Sequence, residues 1–330
     1  MSYRSIAASI SDVGILTGMP NRPWKVRPIP ACLGSPGIIL AVFLFVFTGT
    51  AFPAERVGKR TISFGVIQRF NPHVMYEYYQ PLMDYLSRKT PYRFELHLSR
   101  TYKETMEDLE KGVTEVAYLG GATFAFARHN FGARALVKPL NSKGKPTYRA
   151  YIVVRNDSPI QTIRDLEGKR MAFGASRSTT GSLIPNYMLF SEGVPPDRLK
   201  ATKYLRNHEE VARAVLEGIY DAGAVKDVVA WKYLPQGLRV IAMSEELPNA
   251  PIAAGPTLPK EAEAALVNAL LSIRESNPAE RKALADWGPE IRYGFVKARG
   301  EDYDFIYEKI ISIPKGCGIR CHASNPFFKE

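Results

Sequence analysis

From residue 61 onward the chain alternates short runs of β-branched and aromatic residues with longer stretches whose apolar positions recur every three or four residues. The short runs predict strands over 61–67, 94–98, 113–119, 148–154, 170–173, 201–205, 221–225 and 238–242. Helical periods fill the intervals, an order that predicts an α/β fold with mostly parallel sheets flanked by helices. One long helix is expected to begin at Asn71-Pro72, a capping residue followed by proline at the first helical position, with Val74, Tyr78, Leu82, Tyr85 and Leu86 on its buried face. Pro81 falls inside it and predicts a kink or a restart, because an interior proline removes a backbone donor and clashes with the preceding turn. An Ala- and Leu-rich segment over 259–273 predicts a late helix.

The first fifty residues follow a different pattern. A weakly basic, Pro-rich stretch with Arg22, Lys25 and Arg27 leads into an apolar run over 37–47 and then into Thr48-Gly49-Thr50-Ala51. Small residues after a short apolar run form a secretory leader with its cleavage site, so residues 1–51 are expected to be a signal peptide and the protein periplasmic. The run is shorter than the ~20 residues of a spanning helix, and an uncleaved anchor is the alternative. Met19 is a candidate start, since residues 1–18 make the leader unusually long.

Composition adds a core and a charge. With 45% hydrophobic and 23% charged residues, the 330-residue chain is an ordinary globular one, long enough for two lobes. The formal net charge is +11, and loss of residues 1–51 lowers it by three, to +8. A positive surface concentrates anions and speeds their capture. Lys and Arg are dispersed rather than clustered, which together with export excludes nucleic acid as the expected partner. An enzyme is not expected: there is no Gly-x-Ser-x-Gly elbow, no helical His-Glu-x-x-His and no phosphate loop with its lysine.

The sharpest local signal is Ser178-Thr179-Thr180-Gly181, which follows the strand over 170–173 and opens a helical segment over 182–190. Unpaired N–H groups and a partial positive charge at a helix N-terminus, joined by hydroxyls, make a seat for an oxyanion. The alternative is that Ser178 or Thr179 only caps the helix. Tyr118-Leu119-Gly120-Gly121-Ala122-Thr123 ends another strand in small residues, which lets backbone amides at Leu119 and Gly120 approach an anion from the opposite side.

Six stretches, in this order and spacing, carry a family resemblance: Phe64-Gly65-Val66-Ile67; Gln80-Pro81-Leu82-Met83-Asp84-Tyr85-Leu86; Val116-Ala117-Tyr118-Leu119-Gly120; Phe173-Gly174-Ala175-Ser176-Arg177-Ser178-Thr179-Thr180-Gly181; Asn207-His208-Glu209; and Leu247-Pro248-Asn249-Ala250-Pro251-Ile252. Over residues 61–290 the chain resembles the phosphonate, phosphite and phosphate receptors of ABC importers. The resemblance implies the two-lobed type II periplasmic-binding-protein fold, one lobe from 55–147 plus 253–330 and the other from 148–252, closing on ligand in the cleft. It implies a receptor that captures a small phosphorus oxyanion and hands it to a permease in the inner membrane.

Carried over residue by residue, the resemblance implies ligand contacts from the hydroxyls and amides of Ser178, Thr179 and Thr180, the phenol of Tyr102, and His208. Asp227 stands where the family often has a polar or acidic contact; an ordinary surface carboxylate is its other reading. Some members have a ligand-contacting tyrosine at the position of Leu119. A protonated His208 would make binding weaken above its pKa. Ala250 replaces the aspartate that pairs with the ammonium in aminophosphonate binders, which points to a ligand without an amine.

The C-terminal tail over 313–330 contains Cys317-Gly318-Ile319-Arg320-Cys321-His322, outside the family pattern. It resembles the haem-attachment motif of c-type cytochromes, with three residues rather than two between the cysteines. A local disulfide, covalent haem c, and free thiols or a bound metal are its alternative readings. Apart from that haem no cofactor or metal is expected, and a periplasmic redox or sensing protein is the second function considered.

Overall fold

The computed structural model describes residues 58–273, 277, 280 and 284–317, with side chains as far as Ser312 in the last helix. The segment 1–51, expected to be a leader, lies outside the described residues, as do Cys321 and His322; Cys317 is the final residue of the last helix, Asp304–Cys317. Among the described residues no helix is long and apolar enough to cross a membrane.

The chain first lays down β1 (Thr61–Val66), α1 (Pro72–Lys89), β2 (Arg93–Leu98), α2 (Tyr102–Lys111), β3 (Val116–Tyr118), α3 (Gly121–Phe131) and β4 (Arg134–Pro139). It passes through β5 (Thr147–Tyr148) into β6 (Ala150–Arg155), β7 (Arg170–Phe173), α4 (Ile184–Ser191), β8 (Ala201–Tyr204), α5 (His208–Leu216), β9 (Ala222–Lys226), α6 (Asp227–Tyr233) and β10 (Leu238–Met243). It returns through β11 (Leu247–Pro248) to β12 (Ile252–Ala254), α7 (Lys260–Leu271) and β13 (Phe295–Lys297). The eight expected strands are present, with ends displaced by up to three residues and the 148–154 run divided at Arg149 between β5 and β6. Strands β4, β11, β12 and β13 were not expected; three of them are only two or three residues long, too short for a period-two signal.

Two sheets result, in the orders β13-β4-β12-β3-β1-β2 and β10-β6-β9-β7-β8, and the crossings β5 and β11 pair as a two-stranded ribbon between them. The sheets are mixed, with most strands of each running in one direction. Strands β1, β2 and β3 pair in parallel, as do β7, β8 and β9. The reversed strands are β12, antiparallel to β3 and β4, the edge strand β13, antiparallel to β4, and β6, antiparallel to β9 and β10. Strands β12 and β6 are each the first strand after a crossing, so they run opposite to the strands beside them. Apolar side chains such as Ile62, Phe64, Leu82 and Leu86 fill one core, and Ile152, Met171, Phe173 and Leu189 the other.

At Pro81 there is no restart: α1 runs as one 18-residue helix through the proline. Asn71 caps it as expected, its side chain accepting from Val74 N–H at 3.1 Å. The carbonyl deprived of its partner belongs to Glu77, an exposed residue, so water can satisfy it. The buried face is Met75, Tyr79, Leu82, Met83, Tyr85 and Leu86, and burial of six large side chains outweighs the few kcal/mol of an interior proline. Val74 and Tyr78 are only partly buried at its edge.

Replacing Pro81 with Ala restores the lost donor and removes the ring clash, and is expected to stabilise the protein by about 1–2 kcal/mol after the entropy gained by the unfolded chain. Urea unfolding of the variant checks this through a raised midpoint at unchanged slope.

Candidate functional site

The parallel strands of both sheets deliver their following residues to one place, as open α/β sheets do at the carboxyl ends of their strands. Ile67 and Arg69 follow β1, Tyr102 follows β2, Gly120 follows β3, Ser178, Thr179 and Thr180 follow β7, His208 follows β8, and Lys226 ends β9. Together with Tyr148 of the ribbon and Ala250 of the second crossing they enclose a cavity of about 20 Å3. Its polar wall residues are all buried, none more than 5% exposed.

On one side the wall is a backbone cradle. Ser178 accepts from Gly181 N–H at 3.1 Å and heads a wide π-helical turn, Thr179–Leu183, that runs into α4. Turns of this kind recur at functional sites because they expose backbone groups that a regular helix would bond. The turn lies tight against the end of β7, with Gly174 N–H donating to the Gly181 carbonyl at 2.8 Å. A Cβ on Gly181 would meet the Gly174 Cα and the His208 Cε1 at 2.9 Å each, so only glycine lets the turn, the strand end and the imidazole close up. From the other sheet, α3 presents its first turn. Thr123 Oγ accepts from Gly120 N–H at 2.9 Å, and Ala122 N–H donates to Thr179 Oγ at 2.8 Å, a hydrogen bond across the cleft.

On the other side is a buried ion cluster. Glu290 accepts from Arg69 at 2.7 Å and from the Tyr79 hydroxyl at 3.1 Å, and its second oxygen accepts from Lys226 Nζ. Arg69 also donates to the Leu119 carbonyl at 3.0 Å and lies 4.0 Å over the Tyr118 ring, while Lys226 lies 4.7 Å over Tyr148. Burial alone would raise the Glu290 carboxyl, but Arg69 and Lys226 overcome it and hold the group well below the usual carboxylate range. Arg69 follows β1 of the first sheet and Lys226 ends β9 of the second, so Glu290 ties the two sides of the cleft together.

Desolvation dominates the remaining groups. It lowers His208 to about 4, assisted by Lys226, so the ring is neutral at pH 7 and lies with Nε2 3.4 Å from Ser178 Oγ. The condition under which binding would weaken above the His208 pKa is therefore not met near neutral pH, because burial and the neighbouring Lys226 ammonium disfavour a second charge. Burial raises Tyr102 against the opposing pull of Arg69 and Ser178, and pushes Tyr148 up to about 12, so both phenols are neutral donors.

Of the residues anticipated from the sequence, Tyr102, Gly120, Ser178, Thr179, Thr180 and His208 stand on the cavity wall. Leu119 does not: its side chain is fully buried among Tyr102, Phe124 and Ile306, and only its carbonyl takes part, as the acceptor for Arg69. Asp227 is not a surface carboxylate. It is 4% exposed, accepts from Val228 N–H at 2.8 Å, and lines an adjoining cavity of about 320 Å3 that shares Tyr148 and Lys226 with the first. Burial raises its carboxyl to about 6, with Lys226 pulling the other way. Sequence reading missed Arg69, Tyr148, Lys226 and Glu290. The strand-end position that marked Asp227 applies equally to Lys226 next to it, whereas nothing local to Glu290 announces a partner 221 residues away. Among the described residues no group of three or more His, Cys, Asp or Glu side chains is arranged to hold a metal ion.

A cleft closed by two mixed sheets, with a ribbon of paired crossings and a buried polar cavity at the strand ends, defines a type II periplasmic binding protein. Residues 64–303 match the family of phosphonate ABC transporter periplasmic substrate-binding proteins, and the chain belongs to that family. Among curated relatives it is 28% identical over 185 residues to the phosphate-import protein PhnD of Mycolicibacterium smegmatis, covering 52% of this chain and 57% of that one. It is 22% identical over 165 residues to the phosphonates-binding periplasmic protein of Escherichia coli K12, covering 48% of each. The chain thus spans about half the length of the curated relatives it matches. A binding-protein component of an ABC phosphonate transporter from Pseudomonas aeruginosa has the same fold, with a TM-score of 0.69 at 18% identity over 81% of this chain and 93% of that one. A Prochlorococcus marinus protein solved in complex with methylphosphonate gives 0.68 at 19% identity over 76% and 97%.

Two stability measurements follow. Glu290→Gln leaves two buried cations without the one carboxylate they share and is expected to cost about 3 kcal/mol or more, read as a lowered thermal midpoint. His208 titrates near 6.5 when unfolded and near 4 when folded, so the unfolded chain binds the extra proton in that window. Stability is therefore lost as pH falls from 6.5 toward 4, while Asp227, raised in the fold, opposes this by gaining as pH falls from 6 toward 3.8. Subtracting the pH profile of His208→Gln from that of the parent isolates the first contribution, and the difference should shrink steadily below pH 6.5.

Proposed function

We propose that this chain is an exported receptor that captures a small tetrahedral phosphorus oxyanion, such as methylphosphonate, phosphite or phosphate, and presents it to an ABC permease. The observation that carries the reading is the composition of the cavity: Ser178, Thr179 and Thr180 line the same small space, about 20 Å3, as two buried cations, Arg69 and Lys226. Hydroxyl and phenol donors without desolvation by a large substituent suit a compact oxyanion, and charge-assisted hydrogen bonds are the strong ones. Ile67 and Ala250 supply a short apolar stretch of wall, which accepts a hydrogen or methyl substituent on phosphorus and offers nothing to an ammonium. Membership of a family of periplasmic binding proteins supports the exported location and the permease partner.

The Ala122–Thr179 hydrogen bond and the Glu290–Lys226 pair join the two sides of the cleft, so closure and ligand enclosure are one event. The protein binds and releases without chemistry, and no group in the cavity needs to act as nucleophile or base.

A thermal-shift series over methylphosphonate, phosphite, phosphate, aminoethylphosphonate and sulfate tests the reading. At a hundredfold excess over Kd a ligand adds about 2.7 kcal/mol, and one of the first three is expected to give the largest rise. Thr180→Val keeps the volume and removes one hydroxyl, and is expected to weaken that ligand by about tenfold or more. A larger rise with aminoethylphosphonate or sulfate, or unchanged affinity in Thr180→Val, contradicts it.

A further inference from the structure

The cavity's charge is fixed by three buried side chains. Arg69 and Lys226 contribute two positive charges, and Glu290, bonded to both, contributes one negative charge. Three groups this deeply buried, at 4%, 5% and 5% exposure, are screened far less than surface ions. The remaining wall groups are neutral: hydroxyls, amides, the imidazole of His208 and the phenols of Tyr102 and Tyr148. Glu290 stands behind the wall, so the three-residue cluster presents one uncompensated positive charge to the cavity through Arg69 and Lys226.

We propose that the site is balanced for a singly charged oxyanion, with Glu290 as the residue that sets this preference by taking up the second cation's charge. The inference rests on the phosphorus-oxyanion reading and specifies which ionic form of that ligand is bound. A dianion entering the closed cavity would leave a net negative charge in a desolvated space, which is costly unless a proton accompanies it.

None of the other titratable groups lining the two cavities raises the charge that the cluster presents to a ligand. Tyr79 of α1, Tyr102 of α2, Tyr118 of β3 and Tyr148 of the ribbon are all raised above their ordinary values, burial first, and stay neutral. His208 of α5 is neutral above about pH 4. Asp227 of α6, in the adjoining cavity, lowers the total further whenever it ionises. Arg177, next to Ser178, lies 5.8 Å over the Phe126 ring and is not part of the wall.

Calorimetry of methylphosphonate binding between pH 6 and 9, in two buffers of different protonation enthalpy, measures the proton taken up with the ligand. Above the ligand's second pKa the expectation is uptake approaching one proton per ligand, with affinity falling about tenfold per pH unit. The uptake should persist in Asp227→Asn and in His208→Gln, since the ligand carries the proton. It should disappear in Glu290→Gln, where the wall holds two positive charges. Binding without uptake in the parent overturns the proposal while leaving the oxyanion reading intact, and so does loss of uptake in Asp227→Asn or His208→Gln. Uptake retained in a folded Glu290→Gln also overturns it. Should Glu290→Gln not fold, the parent and the other two variants still decide. Absence of any phosphorus-oxyanion binding across the pH range removes the reading underneath and the proposal with it.

Discussion

Glu290 shares one carboxylate between two cations that arrive from opposite sides of the cleft, and the remaining features of the site depend on that bond. Arg69 leaves β1 and Lys226 ends β9. Brought together without an anion they would repel in a space with almost no water. With Glu290 between them they become a fixed, buried fork whose outer charge faces the cavity. A buried ion cluster is poor evidence for stability, because its desolvation cost rivals its attraction. It is better understood as a device for specificity, fixing one geometry and one net charge.

The opposite wall solves a different problem. Neutral donors have to converge on a point from two sheets, and side chains alone would need long, entropically costly reaches. Here backbone does much of the work. Gly174 and Gly181 let the π-helical turn lie directly on the end of β7, and the small residues that open α3 bring Ala122 N–H within 2.8 Å of Thr179 Oγ. Thr179 thereby serves both as cavity wall and as a bridge across the cleft.

How much of this the sequence disclosed follows from how local each feature is. Strands and helices with several buried positions carry their own period, and the Asn71-Pro72 start of α1 and the Ser178 cap are local chemistry, so they were legible. That the 178–181 turn and Gly120 sit at strand ends beside the cavity was legible for the same reason, and the place of Tyr102 and His208 on its wall through the family resemblance. Short strands such as β12 and β13 were not, because they exist through tertiary pairing alone. The continuity of α1 through Pro81 was not legible, because the cost of the proline is local while its compensation, six buried side chains, is not. The neutral state of His208 was beyond reach for a related reason: it is set by burial and by Lys226, eighteen positions along the chain yet beside it in the fold. Glu290 lies farthest from view, since its two partners come from separate sheets.

The most direct test of the account is a crystal structure of the protein grown with methylphosphonate. The account predicts tetrahedral density between the Ser178–Thr180 hydroxyls and the Arg69–Lys226 fork, with Glu290 still bonded to both cations. Density lodged elsewhere, or a cleft that closes with Glu290 parted from Lys226, would contradict it.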